Sequence, residues 1–168
     1  MHSTTETYLI LGTGIVQTMT EQIDLIKLYS TRILGLAAQM PHVGRLDNPS
    51  ASTSKRSPLC GSKVTVDVTM RDGKITEFAQ NVKACALGQA AASLAGQNII
   101  GRTANEVARA RDELAAMLKS GGPPPGSPFD GFEVLAPACD YKNRHASILL
   151  SLEATAEACA SIASKNAS

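Results

Sequence analysis

The chain has 168 residues, a length that usually corresponds to one domain with a modest hydrophobic core. Apolar residues make up 43% of it, but only 4% are aromatic and there is no tryptophan, so Ala, Val, Leu and Ile must build most of the core. The formal net charge of +1 gives no reason to expect a nucleic acid or an anionic membrane as partner.

An apolar run near the start, Tyr8–Val16, bears on the compartment. It is too short to span a bilayer, which takes about 20 apolar residues. It also makes a poor signal peptide, because no Lys or Arg precedes it and no small-residue cleavage pattern follows. We therefore expect a cytoplasmic protein with no membrane association. In that reducing compartment the four cysteines are interpreted as metal ligands, buried fillers or reactive thiols rather than as disulfides.

The N-terminal third is predicted to contain an extension, one helix and one loop. Residues 1–18 are expected to form a poorly ordered extension, with Met19 as a candidate natural start, and residues 19–168 a single domain. Apolar residues recur at helical spacing over residues 23–39, which predicts a helix. Residues 41–59 are polar and rich in Pro and Ser, and are predicted to form a mobile surface loop.

The clearest local signal is a β-hairpin. Residues 63–70 alternate apolar and polar side chains, Arg71–Lys74 contains a glycine suited to a tight turn, and residues 75–82 return. Cys60 lies just before the first strand and Cys85 just after the second. Because these two ends are neighbours in an antiparallel pair, the hairpin is expected to bring both thiols to one end of the sheet.

Helices are predicted over most of the remaining chain. The small, mostly apolar and uncharged residues 86–100 suit a helix packed tightly on a sheet. Thr103 and Glu106 have the spacing of a capping box, and the helix that they open ends at the Gly- and Pro-rich residues 120–126. A short strand or turn at 132–135 and a last helix from about Tyr141 to Ile162 complete the α+β class: one small antiparallel sheet with helices packed on one face.

Cys85 and Cys60 are the strongest candidates for chemistry. Cys85 is predicted at a helix N-terminus, where unpaired amides and the helix dipole favour the thiolate, and Lys83 is close by in sequence. Cys60 precedes Gly61, and a glycine beside a ligand lets the backbone come close to a bound ion. The alternative for either residue is a buried cysteine that acts as a small apolar side chain.

Three further residues near the C-terminus carry weaker signals. His145 lies near the start of the final helix, and imidazole combined with thiolate suits zinc or iron, although a histidine there is more often a surface or capping residue. Cys139 precedes the same helix and could be a fourth ligand, a sulfur acceptor or an incidental exposed thiol. Cys159 lies in Ala-rich helical sequence and is most simply a core residue.

Three motifs occur here in an order typical of one family. Leu59-Cys-Gly-Ser62 leads into a strand, Lys83-Ala-Cys-Ala-Leu-Gly-Gln-Ala90 leads into a small-residue helix, and Arg144-His-Ala-Ser-Ile-Leu149 opens the last helix. Together, over residues 21–160, they resemble the iron–sulfur cluster assembly scaffold family that includes IscU, SufU and the N-terminal domain of NifU. The third motif is similar to that of a divergent bacterial branch of the family.

The resemblance implies Cys60, Cys85 and His145 as ligands of the metal or cluster, with Cys139 and Ser62 as further candidates. It also exposes two departures from the family pattern. Ser62 stands where an aspartate ligand is usual, and Ala146 stands where the third cysteine is usual. A hydroxyl is a much poorer ligand than a carboxylate, and a methyl group is none. Cys139 would compensate only if its loop folds back; otherwise His145, an exogenous thiol or a second subunit would complete the site.

The function implied by the resemblance is that of a scaffold or carrier and not of an enzyme. Such a protein accepts sulfur from a cysteine desulfurase, transiently binds iron or a [2Fe–2S] cluster and passes the cluster to acceptor proteins. Two alternatives stay open: zinc in the same site of a protein that accepts sulfur from the desulfurase or regulates it, and a degenerate member that binds no metal and serves as an interaction module. We expect a monomer or a weak homodimer.

Overall fold

Four helices, three strands and one 3-10 segment form the fold of residues 29–167, the part of the chain that the computed structural model describes. In chain order these are α1 (Thr31–Ala38), β1 (Ala51–Arg56), β2 (Lys63–Arg71), β3 (Lys74–Lys83), α2 (Ala86–Gln97), α3 (Ala104–Ser120), the 3-10 segment (Asp130–Asp140) and α4 (Lys142–Asn166). The predicted extension 1–18, Met19 and the first residues of the predicted 23–39 helix lie outside this range.

The three strands form one antiparallel sheet in the order β1-β2-β3. The inward side chains of β2, Val64, Val66 and Val68, are buried in the core, as the alternating sequence predicts. The β2–β3 hairpin turns at Asp72 and Gly73, whose φ angles of 55° and 76° suit a tight connection. The predicted hairpin is therefore confirmed.

The helices cover the inner face of the sheet, which confirms the predicted α+β architecture. α4 contacts β1, β2, α2 and α3, and so forms the centre of the core. By length and composition it is the one helix within residues 29–167 that could cross a membrane, but 67% of its most apolar stretch is buried inside the fold. Packing against the sheet and the other helices therefore accounts for its apolar composition.

The sequence predicts the helices after the hairpin well. α2 is nearly surrounded by protein, since nine of its residues from Leu87 to Gly96 are buried. α3 opens with the predicted capping box: the Thr103 hydroxyl accepts from the Glu106 amide, and the Glu106 carboxylate accepts from the Thr103 amide. α3 ends at Gly121 in the left-handed conformation, where glycine carries no steric penalty.

Two local predictions are wrong. Residues 51–56, predicted as part of a mobile loop, form β1, an edge strand in which only Ala51 is buried. A polar edge strand has almost no hydrophobic alternation, so its pairing with β2 leaves little trace in the sequence. Residues 132–135, predicted as a short strand or turn, belong to the 3-10 segment, where Phe132 and Leu135 are buried three positions apart as its three-residue repeat requires.

Candidate functional site

The hairpin places Cys60 and Cys85 at the same end of the sheet. Lys63 pairs directly with Lys83, and the two cysteines lie just beyond this closing pair. Cys60 sits in a tight turn in which the Gly61 amide donates to the Ser57 carbonyl at 3.0 Å. Gly61 has a φ of 70°, which a side chain would disfavour. The glycine after Cys60 thus serves to make the turn that presents the thiol.

Two buried serines join the two thiols. Ser62 Oγ lies 3.2 Å from Cys60 Sγ and 3.0 Å from Ser147 Oγ, and Ser147 Oγ lies 3.5 Å from Cys85 Sγ. Ser62 and Ser147, which we call the hydroxyl bridge, are 3% and 1% exposed. A third hydroxyl, that of Ser57, lies 3.3 Å from Cys60 Sγ. The predicted convergence of the thiols is confirmed, and a chain of hydrogen bonds runs from Cys60 through Ser62 and Ser147 to Cys85.

Gly88 makes room for the hydroxyl bridge. A Cβ atom at this position would lie only 2.4 Å from Ser147 Oγ and 3.3 Å from the Ser147 carbonyl oxygen. Gly88 lies in the first turn of α2, the turn that follows Cys85. Because Gly88 has no side chain, Ser147 of α4 can approach that turn closely. The glycine in the second motif is thereby explained by close packing between α2 and α4.

The environment of Cys60 favours its thiolate. Hydrogen bonds from the Ser57 and Ser62 hydroxyls lower the pKa of Cys60 to about 7. In the neutral state the thiol donates to Ser57 Oγ, whereas after ionisation the hydroxyls rotate and donate to sulfur. Because Cys60 is exposed, this thiolate can be reached by a soluble reagent or a partner protein.

Cys85 is half-buried, and opposing influences act on it. Burial raises the pKa of Cys85, but hydrogen bonds from the Ser147 hydroxyl and from the Gly88 and Leu87 amides outweigh burial, and the nearby Arg144 guanidinium adds to them. The net effect is a pKa below the ordinary value of a thiol. As predicted, Cys85 is the residue at the N-terminus of α2, where the amides of the first turn have no helical partner.

His145 is held by the backbone of the 3-10 segment. Its Nε2 lies 2.9 Å from the Ala138 carbonyl oxygen and 3.1 Å from that of Cys139, and the side chain is 6% exposed. Since both carbonyls can only accept, Nε2 must carry the proton and donate to them. The ring nitrogen with a lone pair available to a metal is then Nδ1, unless the His145 ring breaks its hydrogen bonds to the two carbonyls.

The remaining cysteines differ sharply from the first two. Cys139 is half-buried at the end of the 3-10 segment, and its backbone carbonyl faces His145. Cys159 is fully buried in α4, and burial raises the pKa of Cys159 to about 11, which confirms that it is a core residue. It therefore provides an inert thiol against which Cys60 and Cys85 can be compared.

Comparison with known proteins identifies the family. Residues 28–146 match the model of the NifU-like N-terminal domain. This chain belongs to that family. Its members include the iron–sulfur cluster assembly scaffolds of the IscU, SufU and NifU type, so the resemblance carried by the three motifs is confirmed.

Individual relatives agree with this assignment. A crystal structure of a nitrogen-fixing NifU-like protein (N-terminal) from Brucella abortus is 46% identical, with a TM-score of 0.83 over 84% of this chain and 99% of that one. The iron–sulfur cluster assembly scaffold protein IscU of Thermotoga maritima is 27% identical over 92 residues, which span 55% of this chain and only 65% of that relative. A SUF-system scaffold structure from Fervidobacterium islandicum is 20% identical with a TM-score of 0.71, a likeness of fold alone.

The NifU-like fold here carries an unusual set of donors. Two thiols and neutral hydroxyls meet at the end of the sheet, while Ala146 contributes only a methyl group. Across residues 29–167, no three His, Cys, Asp or Glu side chains lie together in a group that could hold a metal ion. The site brings Cys60 and Cys85 together through the hydroxyl bridge. The larger ligand set with His145 and Cys139 stays a prediction.

Ser57 and Ser147 are the site residues that sequence reasoning missed. Ser147 stands within the third motif, two positions after His145, but serine is common at helix starts and nothing local marks it. Its partners Cys85 and Ser62 are 62 and 85 positions away in the chain, so only the packing of α4 against the hairpin reveals the contact.

Alkylation of the thiols is expected to follow the pKa of Cys60. The rate of iodoacetamide reaction at Cys60, followed by peptide mass spectrometry, should rise with pH and reach half its plateau near pH 7. Ser57→Ala removes a hydrogen bond to the thiolate, so the midpoint should move to higher pH. Cys159 in the same samples should stay unmodified while the protein is folded. An unmoved midpoint in Ser57→Ala would show that this hydroxyl does not stabilise the thiolate.

Proposed function

We propose that this chain is a scaffold or carrier that transiently holds iron or a [2Fe–2S] cluster as its cargo on Cys60 and Cys85. The observation that carries the proposal is the hydroxyl bridge, which links two thiols of lowered pKa at one end of the sheet. Thiolates are the ligands that iron–sulfur clusters prefer, so a pre-formed pair of ionisable thiols suits this cargo.

Sulfur delivery is proposed to use Cys60. Its thiolate would attack the terminal sulfur of a persulfide on a cysteine desulfurase, forming a new S–S bond on this chain and releasing the desulfurase cysteine as a thiolate. An exposed thiol with a pKa of about 7 is both accessible and substantially ionised at neutral pH. The protein would therefore act as an acceptor in the transfer and, like scaffolds in general, would not be an enzyme.

The donor set leaves part of the cargo's coordination to other groups. Two thiolates supply fewer ligands than a cluster requires, and the buried hydroxyls are weak donors. His145 through Nδ1, Cys139 after a movement of its loop, an exogenous thiol or a second copy of the chain would complete the shell. Weak or shared ligation suits a cytoplasmic carrier that must release its cluster to acceptor proteins.

A second candidate function is favoured by a specific observation. This candidate is a degenerate family member that binds no metal and serves as an interaction module, and it fits the finding that no three His, Cys, Asp or Glu side chains group together within residues 29–167. Zinc in place of the cluster is the other alternative, because zinc also takes thiolate and imidazole ligands. These alternatives differ in a directly measurable property, the metal content.

Anaerobic purification followed by a visible spectrum and elemental analysis tests the proposal. We expect a brown protein, after isolation or after reconstitution, that contains iron and sulfide in matched amounts. Stoichiometric zinc without visible absorption would instead support the zinc-binding sulfur acceptor or desulfurase regulator. If the protein binds no metal even after reconstitution, the scaffold proposal fails and the interaction module takes its place.

A further inference from the structure

The outer face of the sheet carries three cations in one row at the thiol end. Arg56 of β1 pairs with Lys63 of β2, and Lys63 pairs with Lys83 of β3. Residues paired across antiparallel strands project on the same face, and all three of these are exposed. We call Arg56, Lys63 and Lys83 the cationic row.

The residues behind the cationic row do not neutralise it. Two positions further along each strand, on the same outer face, the neighbouring row consists of Ser54, Thr65 and Asn81, all of them neutral. Beyond it lies Asp67, which is buried and already bound to the Arg45 guanidinium at 2.7 Å. The outer face is therefore uniformly positive at the end nearest the thiols.

Repulsion within the cationic row destabilises the folded protein, and a bound anion would relieve that repulsion. Like charges directly opposite each other on neighbouring strands are destabilising. Within residues 29–167 none of the three cations takes part in an ion pair, whereas the adjacent Lys55 lies 3.5 Å from Glu157. A row of unpaired cations with neutral hydrogen-bonding groups behind it is suited to carboxylates or other oxyanions.

The shape of the surface decides between a small ligand and a protein. The hollow lined by Lys63, Thr65, Asn81 and Lys83 has a volume of about 60 Å³. Small-molecule pockets usually measure about 300–1,000 Å³, so a nucleotide or cofactor of ordinary size has no cavity here. An open, charged sheet face is instead the kind of surface that guides a protein partner by electrostatic complementarity.

We propose that the cationic row is a docking surface for an acidic segment, rich in Asp and Glu, of the protein that delivers or receives the cargo. Lys63 is three residues from Cys60 and Lys83 is two residues from Cys85. Because the chain spans at most about 3.6 Å per residue, a partner bound to these lysines would lie within about 11 Å of the backbone of both cysteines. Leu59, next to Cys60 in the chain, is 75% exposed and offers a partner an apolar contact close to that cysteine. Only the identity of the partner rests on the proposed scaffold function; the binding can be measured on metal-free protein.

The experiment is an NMR titration of the ¹⁵N-labelled, metal-free full chain with a synthetic, blocked octaglutamate peptide at low salt. We expect shift changes that cluster at the amides of the cationic row and of Thr65 and Asn81. Lys63→Gln/Lys83→Gln should weaken binding by at least about fivefold, and added salt should weaken it in the unaltered protein. The variant should unfold at or above the temperature of the unaltered protein, since a like-charge pair has been removed.

Arg71→Gln/Lys74→Gln is the matched control, because these residues form the facing pair at the opposite end of the same two strands. The control removes the same number of charges, and Lys74 lies near the Glu106 carboxylate, so peptide binding should change less than about twofold. Equal weakening by both double variants would show that the peptide responds only to net charge and would overturn the proposal. Tight binding of inorganic pyrophosphate that displaces the peptide from the row would also overturn it in favour of a small-oxyanion site.

The docking proposal and the scaffold proposal can fail separately. Iron and sulfide content after reconstitution should be the same in Lys63→Gln/Lys83→Gln as in unaltered protein, because neither lysine is a cluster ligand. If neither protein binds metal, the proposed scaffold function is wrong. The peptide titration would still test the docking surface independently.

Discussion

Cys85→Ala is expected to remove most of the iron and sulfide that the protein binds after anaerobic reconstitution. The substitution deletes one of the two thiolates that the hydroxyl bridge brings together, and leaves Cys60 as a single thiolate ligand among neutral hydroxyls. Such a ligand set should hold a cluster at least about tenfold more weakly, because ligation by thiolate supplies most of the binding. The measurement is iron and sulfide per chain after desalting, together with the visible absorption.

Cys159→Ala is the matched control for this experiment. It also removes one thiol, but that thiol is fully buried in α4, and burial raises its pKa to about 11. The protein should therefore keep its iron, apart from losses caused by reduced stability, which circular dichroism and thermal unfolding will reveal. Comparable retention of iron by Cys85→Ala and Cys159→Ala would count against Cys85 as a ligand.

The convergence of the two thiols could be predicted because it depends on local patterns. Alternation in β2 and β3 and the Asp72-Gly73 turn fix the hairpin, and the hairpin fixes the neighbourhood of Cys60 and Cys85. The helix after Cys85 is equally predictable, since its small uncharged residues are typical of a tightly packed helix. These elements are specified by residues close together in the chain.

The hydroxyl bridge could not be predicted in the same way. Ser62 and Ser147 meet only because α4 packs across the inner face of the sheet, and serine carries no signal that distinguishes a buried bridge from a solvated helix start. The interaction of His145 with the Ala138 and Cys139 carbonyls depends likewise on the 3-10 segment, whose short apolar run is hard to distinguish from a strand or turn by sequence. Long-range packing therefore determines the parts of the site that local patterns do not specify.

Strand β1 is another part of the fold that the local sequence does not predict. Its residues 51–56 alternate little in polarity, yet their pairing with β2 creates the Arg56–Lys63 contact on which the cationic row depends. If these residues are predicted as a loop, the sequence does not show that Arg56, Lys63 and Lys83 lie side by side. The docking surface is thus a property of strand register and can only be inferred once the register is known.

Gly88→Ala is expected to lower the free energy of unfolding by about 1–3 kcal/mol, the usual range for overpacking a well-packed core. The new Cβ would lie 2.4 Å from Ser147 Oγ and 2.8 Å from Ala84 Cβ, both closer than side-chain atoms tolerate. Besides a shift of Ala84, relief of these contacts requires that α4 moves away from α2 or that the Ser147 hydroxyl is expelled. Either change would disrupt the hydroxyl bridge. Urea unfolding followed by circular dichroism measures the loss.

Gly35→Ala supplies the control, because Gly35 is an exposed helical glycine of α1 and a Cβ atom added there would meet nothing within 4 Å. That substitution should stabilise the protein by about 0.4–1 kcal/mol, since alanine restricts the unfolded chain and favours helix. Adding Ser147→Ala to Gly88→Ala removes the atom that the new methyl group meets first, so the double variant should lose less stability than the two single losses added together. Strictly additive losses would show that Gly88 and Ser147 do not interact, and the explanation of Gly88 as the space for the hydroxyl bridge would then be wrong.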